Sequence, residues 1–213
     1  MRVIFLNNYV YLRGGSERVL FEEMKMLRAL GHEVAIFSRK NQRNEATNFA
    51  MYFPKDIVTD RLGVSVKSLQ TVGEIVYSRE AKNMLKRVVA EFRPEVAHAH
   101  NVYGRLSLSV LDALEEEGIP IVMTLHDYKL MCPSYLMLNH GSVCERCKHG
   151  NFLHAVISRC HKNSLPASVV YAFESWFNRV SGKYRKVSCF VSPSRFLLEK
   201  VKKSGLVDRE IYW

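Results

Sequence analysis

NNYVYLRGGSERV, residues 7–19, is the stretch that decides the fold. Just before it, VIFL at 3–6 reads as a short apolar strand, and just after it a helical pattern runs to Leu30. The glycines therefore sit between a strand end and a helix start. Paired glycines let backbone approach a ligand closely, and the free N–H groups and positive dipole end of a helix favour an anion. Ser16 is a candidate cap. Gly14, Gly15 and Ser16 form a candidate phosphate or substrate cradle; the plainer alternative is a βα turn that uses glycine for positive φ. In the helix, Val19, Leu20, Met24, Leu27 and Leu30 recur largely at spacings of three and four, an apolar stripe for packing on a sheet. Gly31 ends it, and HEVAIFS at 32–38 reads as a second buried strand. Strand, helix and strand of this length imply a right-handed parallel crossover, the opening of a Rossmann-like, doubly wound α/β sheet.

The same alternation continues. Residues 41–73 are polar and irregular, with FAMYFP at 49–54 as a candidate short strand. From Ser78 a helix is expected, with Ala81, Leu85, Val88 or Val89 and Phe92 on its apolar face, stopped at Arg93-Pro94. VAHAH at 96–100 is the next strand, a helix over about 106–117 ends at Gly118, and IPIVMTLHDY from Ile119 is the most hydrophobic strand of the chain. In such sheets ligands sit outside the carboxyl ends of the strands. His98, His100 and His126 thus fall on the same edge as the glycine loop, and Asn101 and Tyr103 follow directly. The polar pair His126-Asp127 has no packing reason to end so apolar a strand, which marks both as candidate catalytic residues. Residues 131–163 interrupt the alternation and are too long for a plain βα loop. Pro166 suits the first turn of a helix through Asn178 carrying Tyr171, Phe173, Trp176 and Phe177, aromatics expected in the core. Apolar residues on both faces, with Arg179, Lys183, Arg185 and Lys186 beyond, leave peripheral membrane contact as the second reading. A strand at 187–191, holding Cys189 in the core, and a helix closed by Gly205 complete a domain at 1–205. Residues 206–213 are expected to begin a linker.

The 213 residues, 47% hydrophobic, suffice for one large core. A net charge of +10 points to an anionic partner. The basic residues are dispersed and match no nucleic-acid motif, so no nucleic-acid partner is expected. No apolar run is long enough for a signal peptide or a spanning helix, and a cytoplasmic, at most membrane-associated, location is expected.

Four of the five cysteines crowd the interruption. Cys132, Cys144, Cys147 and Cys160 are separated by 11, 2 and 12 residues, and the central C-x2-C is a two-ligand knuckle that flanking cysteines can complete. Structural zinc is the leading reading and an iron–sulfur cluster the second. A variant has His149, His154 or His161 replacing one cysteine, and free thiols are the plain alternative. No catalytic metal is expected, because nothing leaves an open position.

Taken together, GGSERV, GHEV, PEVAHAHN, TLHDY and CFVSPSRFLLEKVKKSG resemble, in order and spacing, the N-terminal half of a family-4 glycosyltransferase of the GT-B fold. The resemblance spans residues 2–205. It implies an acceptor-side Rossmann-like domain facing a second, C-terminal domain that holds a nucleotide-sugar donor. It places Gly14, Gly15 and Ser16 near the donor diphosphate and acceptor, and His126 near the transferred sugar. It also implies retention of anomeric configuration, no need for a divalent metal in catalysis, and a glycan, lipid or other acceptor such as polysaccharide biosynthesis uses. The family's C-terminal domain, with its E-x7-E glutamates and phosphate-holding arginine and lysine, has no counterpart in these residues, so the chain is expected to be incomplete alone.

Two other classes compete. An oxidoreductase is disfavoured because G-x-G-x-x-G is missing and Ser38-Arg39-Lys40 lacks a ribose-binding acid after the second strand. A non-catalytic, metal-containing binding or regulatory domain ranks second, on the cysteines and the charge.

Overall fold

The computed structural model describes residues 1–57 and 66–213. In chain order it runs β1 (Arg2–Leu6), α1 (Gly15–Ala29), β2 (Glu33–Phe37), a 3-10 turn (Ala50–Tyr52), α2 (Val66–Val76), α3 (Arg79–Phe92), β3 (Val96–Ala99), α4 (Ser109–Glu116) and β4 (Ile121–Thr124). There follow a small hairpin of β5 (Leu138–Asn139) and β6 (Ser142–Val143), α5 (Leu153–Ile157), α6 (Leu165–Val180), a second 3-10 turn (Lys183–Lys186), β7 (Cys189–Val191), α7 (Arg195–Ser204) and β8 (Ile211–Tyr212). Among the described residues no helix is long and apolar enough to cross a membrane.

Six strands form one sheet in the order β2-β1-β3-β4-β7-β8, every neighbouring pair parallel. The expected Rossmann-like architecture is the one observed. A parallel strand covered on both faces reads as an unbroken apolar run, and Ile4, Phe5 and Leu6 of β1 are fully buried. The chain leaves β1 for β2 on one side and returns to β3 on the other, so the order reverses at β1. Right-handed crossovers then place α1 on one face and α3 and α4 on the opposite one. At this reversal the connections after β1 and β3 lead to helices on opposite faces, the kind of point at which ligands bind in open α/β sheets.

Local sequence explains the helix ends. Ser78 caps α3, its hydroxyl accepting from the Ala81 N–H, and Arg93 closes it in the left-handed conformation just before Pro94. Ser194 caps α7 in the same way, and Gly205 ends it at φ 65°. Pro166 stands in the first turn of α6, where a missing N–H costs nothing.

Several expectations are corrected. Val19 and Leu30 are exposed, and α1 buries Glu17, Leu20 and Met24; neighbouring helical residues lie about 100° apart, so Val19 cannot share the stripe of Leu20. FAMYFP forms the first 3-10 turn rather than a strand, and plugs Phe53 edge-on against Phe37 at 5.8 Å. α2 lies in the stretch that showed no readable pattern, of which residues 58–65 fall outside the described ones. α4 starts at Ser109 rather than near 106, because the Leu106 N–H is engaged by Asn8 and Ser107 adopts a positive φ. Phe173 and Trp176 are half exposed, since α6 buries its small and polar face, Ala167, Ser168, Ala172, Glu174, Ser175 and Asn178. Cys189 is only partly buried. Ile211–Tyr212 add the edge strand β8, with Ile211 buried beside Phe190.

Candidate active site

The carboxyl ends of β1, β3 and β4 open into one cleft of about 500 Å³. The loop after β1 and the start of α1 contribute Asn8, Tyr9, Arg13, Gly14, Ser16 and Glu17. The loop after β3 adds Asn101, Tyr103, Gly104 and Arg105, and the one after β4 adds Asp127 and Lys129. The far wall is Pro133, Tyr135, His161 and Lys162 of the interrupting segment, with Tyr171 of α6.

Two asparagines lock the first two loops together. Asn7 accepts from the Asn101 N–H at 3.0 Å and donates to the Tyr9 carbonyl at 2.9 Å. Asn8 donates to the Tyr103 carbonyl at 2.8 Å and accepts from the Leu106 N–H at 3.0 Å. Both are buried, so these bonds satisfy groups that would otherwise be costly to desolvate. Sequence reasoning missed their role; the signal was two amides directly after a fully apolar strand.

Gly14 is the N-cap of α1 at φ −165°, an extended conformation open to any residue, and Ser16 lies inside the helix with no capping bond. Neither Gly14 nor Gly15 has a positive φ, so the turn explanation for this pair does not hold. What their missing side chains leave is open backbone, with nothing within 4 Å of a Cβ built on Gly15. Gly104 differs: at φ 68° it also passes so near Tyr171 that a Cβ would stand 3.1 Å from the ring.

His126 lies behind the cleft lining, with its Nε2 2.8 Å from His100 Nδ1. His100 is fully buried and His98 partly so, under Glu23 of α1. His98 Nδ1 and His100 Nε2 lie 3.4 and 3.2 Å from Glu23 Oε2, and His98 Nε2 is 2.8 Å from Thr124 Oγ1. Burial pulls His98 and His126 down to about 4 and His100 to about 3, so all three rings are neutral at physiological pH, and burial raises Glu23. The two strand histidines, expected to touch the acceptor, thus stand beneath α1 while Asn101 and Tyr103 line the cleft. Asp127 does not pair with His126, as alternation along a strand anticipates; it accepts from the Lys129 N–H at 2.8 Å. Burial raises its carboxyl, opposed by Lys129.

Lys129 reaches under the cleft floor to Glu174 of α6 at 2.6 Å, both side chains buried. It also donates to the Pro133 carbonyl at 3.1 Å. This pair ties the loop after β4 to α6. On the second-strand side, the buried Arg39 is held by Glu74 at 2.7 Å and Ser78 at 3.0 Å, a structural ion pair where a dinucleotide site would need a free carboxylate.

Cys132, Cys144, Cys147 and Cys160 all line one small cavity, together with His154. Burial, then the neighbouring Cys132, Cys160 and Cys144, pushes the Cys147 thiol up to about 12. Their sulfurs do not close into a tight site. Among the described residues the one group of three or more His, Cys, Asp or Glu side chains whose ligand atoms all lie within 4.8 Å is Glu23, His98 and His100.

The sequence model described as Glycosyltransferase Family 4 matches residues 13–212. No curated protein matches the sequence. Among solved structures, sucrose-phosphate synthase from Thermosynechococcus elongatus aligns with a TM-score of 0.52 at 10% identity, over 99% of this chain and 46% of that one. A UGT transferase from Siraitia grosvenorii in complex with UDP aligns at 0.51 and 13% identity, over 99% and 50%. Phytolacca americana UGT2, complexed with UDP-2fluoro-glucose and pterostilbene, aligns at 0.51 and 11%, over 99% and 52%. The chain spans about half the length of the solved structures it matches.

Proposed function

The chain belongs to glycosyltransferase family 4, and we propose that it forms the acceptor-side wall of a cleft in which a sugar passes from a nucleotide-sugar donor to a glycan or lipid hydroxyl with retention of configuration. A second Rossmann-like domain would hold the donor, in keeping with the match to about half the length of the solved structures. The observation that carries this reading is the convergence, in one cleft at the sheet's reversal point, of Gly14 and Ser16, of Asn101 and Tyr103, and of Asp127. In the transfer, the bond from the anomeric carbon to the diphosphate oxygen breaks while the acceptor oxygen bonds to that carbon and gives up its proton. Open backbone at Gly14 and Gly15, with Arg13 on the same wall, suits the charge that develops on the departing diphosphate. Tyr9, Tyr103, Tyr135 and Tyr171 offer rings for a sugar to lie against. Asp127 is assigned to the acceptor hydroxyl and His126 to the transferred sugar.

The test is transfer of labelled sugar from a panel of nucleotide sugars, with the donor-binding domain supplied. Label should move only when that domain is present, and His126→Ala should lower kcat by about 10²–10³, the scale of one lost transition-state hydrogen bond. Undiminished transfer by His126→Ala, or tight calorimetric binding of NAD without transfer, defeats the reading.

Two further assignments accompany it. The exposed stripe Leu165, Val169, Phe173, Trp176 and Val180 along α6, with Arg179 beside it, suits peripheral contact with a membrane that carries a lipid acceptor. Sedimentation with anionic vesicles should fall on Trp176→Ser; vesicle binding unchanged by that variant removes the assignment. The four cysteines, gathered from residues 132–160 around one cavity, suit structural zinc bound by drawing their sulfurs together, an iron–sulfur cluster being second. A thiolate-bound metal lost in Cys144→Ser supports it, and four readily titrated thiols in freshly purified protein refute it.

A further inference from the structure

We infer that Glu23, His98 and His100 form a divalent-cation site of zinc type, distinct from the cysteines, that sits behind His126 and sets which of its ring nitrogens carries the proton. The site stands whether or not the chain transfers sugar.

Its ligands follow from the topology. His98 and His100 are two residues apart on a strand, so both side chains leave the same face of the sheet. That face is covered by α1, which brings down Glu23. One candidate ligand atom from each of Glu23, His98 and His100 lies within 4.8 Å of the other two. Glu23 Oε2 is 3.4 Å from the first nitrogen and 3.2 Å from the second. A tetrahedral ion with bonds of about 2.0–2.1 Å separates its ligand atoms by roughly 3.3–3.4 Å, so these spacings need almost no adjustment. Despite those distances, Glu23 Oε2 and His100 Nε2 are buried with no hydrogen-bond partner. They are close but poorly aimed at each other, as atoms directed at a common point would be.

The outer partners fit as well. A metal-bound imidazole usually donates its other ring N–H to a fixed acceptor, which holds the ring and its tautomer. Both histidines have such a neighbour on the far nitrogen: His98 Nε2 is 2.8 Å from Thr124 Oγ1, and His100 Nδ1 is 2.8 Å from His126 Nε2. Two histidines and a carboxylate form a known zinc ligand set that leaves a fourth position for water or substrate.

The consequence for His126 is definite. With an ion on His100 Nε2, the proton of His100 must sit on Nδ1 and is donated to His126 Nε2. A neutral His126 then keeps its own proton on Nδ1. Without an ion nothing holds the His100 proton on Nδ1, so the tautomer that protonates Nε2 of His100, with His126 donating from its own Nε2, becomes available. The cation therefore acts as a positioning element for the histidine assigned to the sugar.

The experiment uses the whole chain, stripped with a chelator and titrated with Co²⁺ and Zn²⁺. The expected result is one cobalt whose spectrum lacks thiolate charge transfer, held in addition to any cysteine-bound metal. Glu23→Gln should weaken it at least about tenfold. Thr124→Val, which keeps the shape of the side chain but removes the outer partner of His98, should weaken it by about 10- to 100-fold. Imidazole ¹⁵N shifts of His126 should move from the Nε2–H to the Nδ1–H tautomer on adding zinc. The inference is overturned if the only metal bound is thiolate-ligated, if Glu23→Gln binds as tightly as the parent, or if the His126 tautomer is the same with and without zinc.

Discussion

Glu174 is fully buried in the middle of α6, and its only cationic partner within 4.0 Å among the described residues is Lys129, itself nearly inaccessible. Replacing Glu174 with Gln preserves the volume and the bond from Asn178 Nδ2 but leaves the Lys129 ammonium buried without counter-charge. Breaking one side of a buried pair costs about 3–5 kcal/mol, because the abandoned charge keeps its desolvation cost. The carbonyl of Pro133 and the hydroxyl of Ser175 still accept from Lys129 and favour the lower end of that range. In a domain of this size each kcal/mol moves Tm by roughly 2–4 °C, so a fall of roughly 6–12 °C is expected. Urea unfolding read by fluorescence is a suitable assay, since Trp176 lies two residues from the substitution. Removing both charges together, as Lys129→Met with Glu174→Leu, should recover most of the loss, because a packed apolar pair is often as stable as the ion pair it replaces. A Glu174→Gln variant within about 0.5 kcal/mol of the parent would refute the idea that this pair ties the loop after β4 to α6.

Gly104→Ala forces a side chain into the left-handed region and against Tyr171, and should cost about 1–3 kcal/mol in thermal unfolding while narrowing the cleft. Asp112 is buried and ion-paired with Lys183 and, at 3.0 Å, with Lys186. Burial pushes its carboxyl up, but the hydrogen bonds from Lys183, Lys186 and Tyr77 outweigh this and hold it below the usual range. A depressed carboxyl contributes stability that is complete above its unfolded value near 4 and is lost as pH falls through the folded one. Asp112→Asn should therefore lower stability at pH 7 and flatten the acid limb of the stability–pH curve below pH 4, and an unchanged acid limb would contradict the pairing.

The sheet was legible because its central strands are buried on both faces and read as unbroken apolar runs, and because Pro94, Gly118 and Gly205 punctuate the helices between them. What was not legible shares one cause: tertiary context overrode local pattern. Phe49–Pro54 looked like a strand but, among the described residues, pairs with no strand, and folds into a turn that plugs the core. Phe173 and Trp176 looked like core residues, yet α6 buries its small and polar face instead, where Glu174 meets Lys129. For the site, the glycine loop and the loops after VAHAH and TLHDY meet at one edge of the sheet, where the sequence places them. The roles of Asn7 and Asn8, the far wall of Tyr135, His161 and Tyr171, and the placing of Glu23 over His98 and His100 all depend on contacts between residues distant in sequence. Spacing along the chain carries no trace of those contacts.

The most direct test of the central claim is backbone NMR of the ¹⁵N-labelled chain titrated with nucleoside diphosphates, nucleotide sugars and simple glycans. The account predicts that the largest shifts cluster at Gly14, Gly15 and Ser16, at Asn101 to Gly104 and at Asp127. A cleft that stays silent across the panel, or shifts gathered instead at the separate cavity lined by Phe21, Met24 and Phe49, would contradict it.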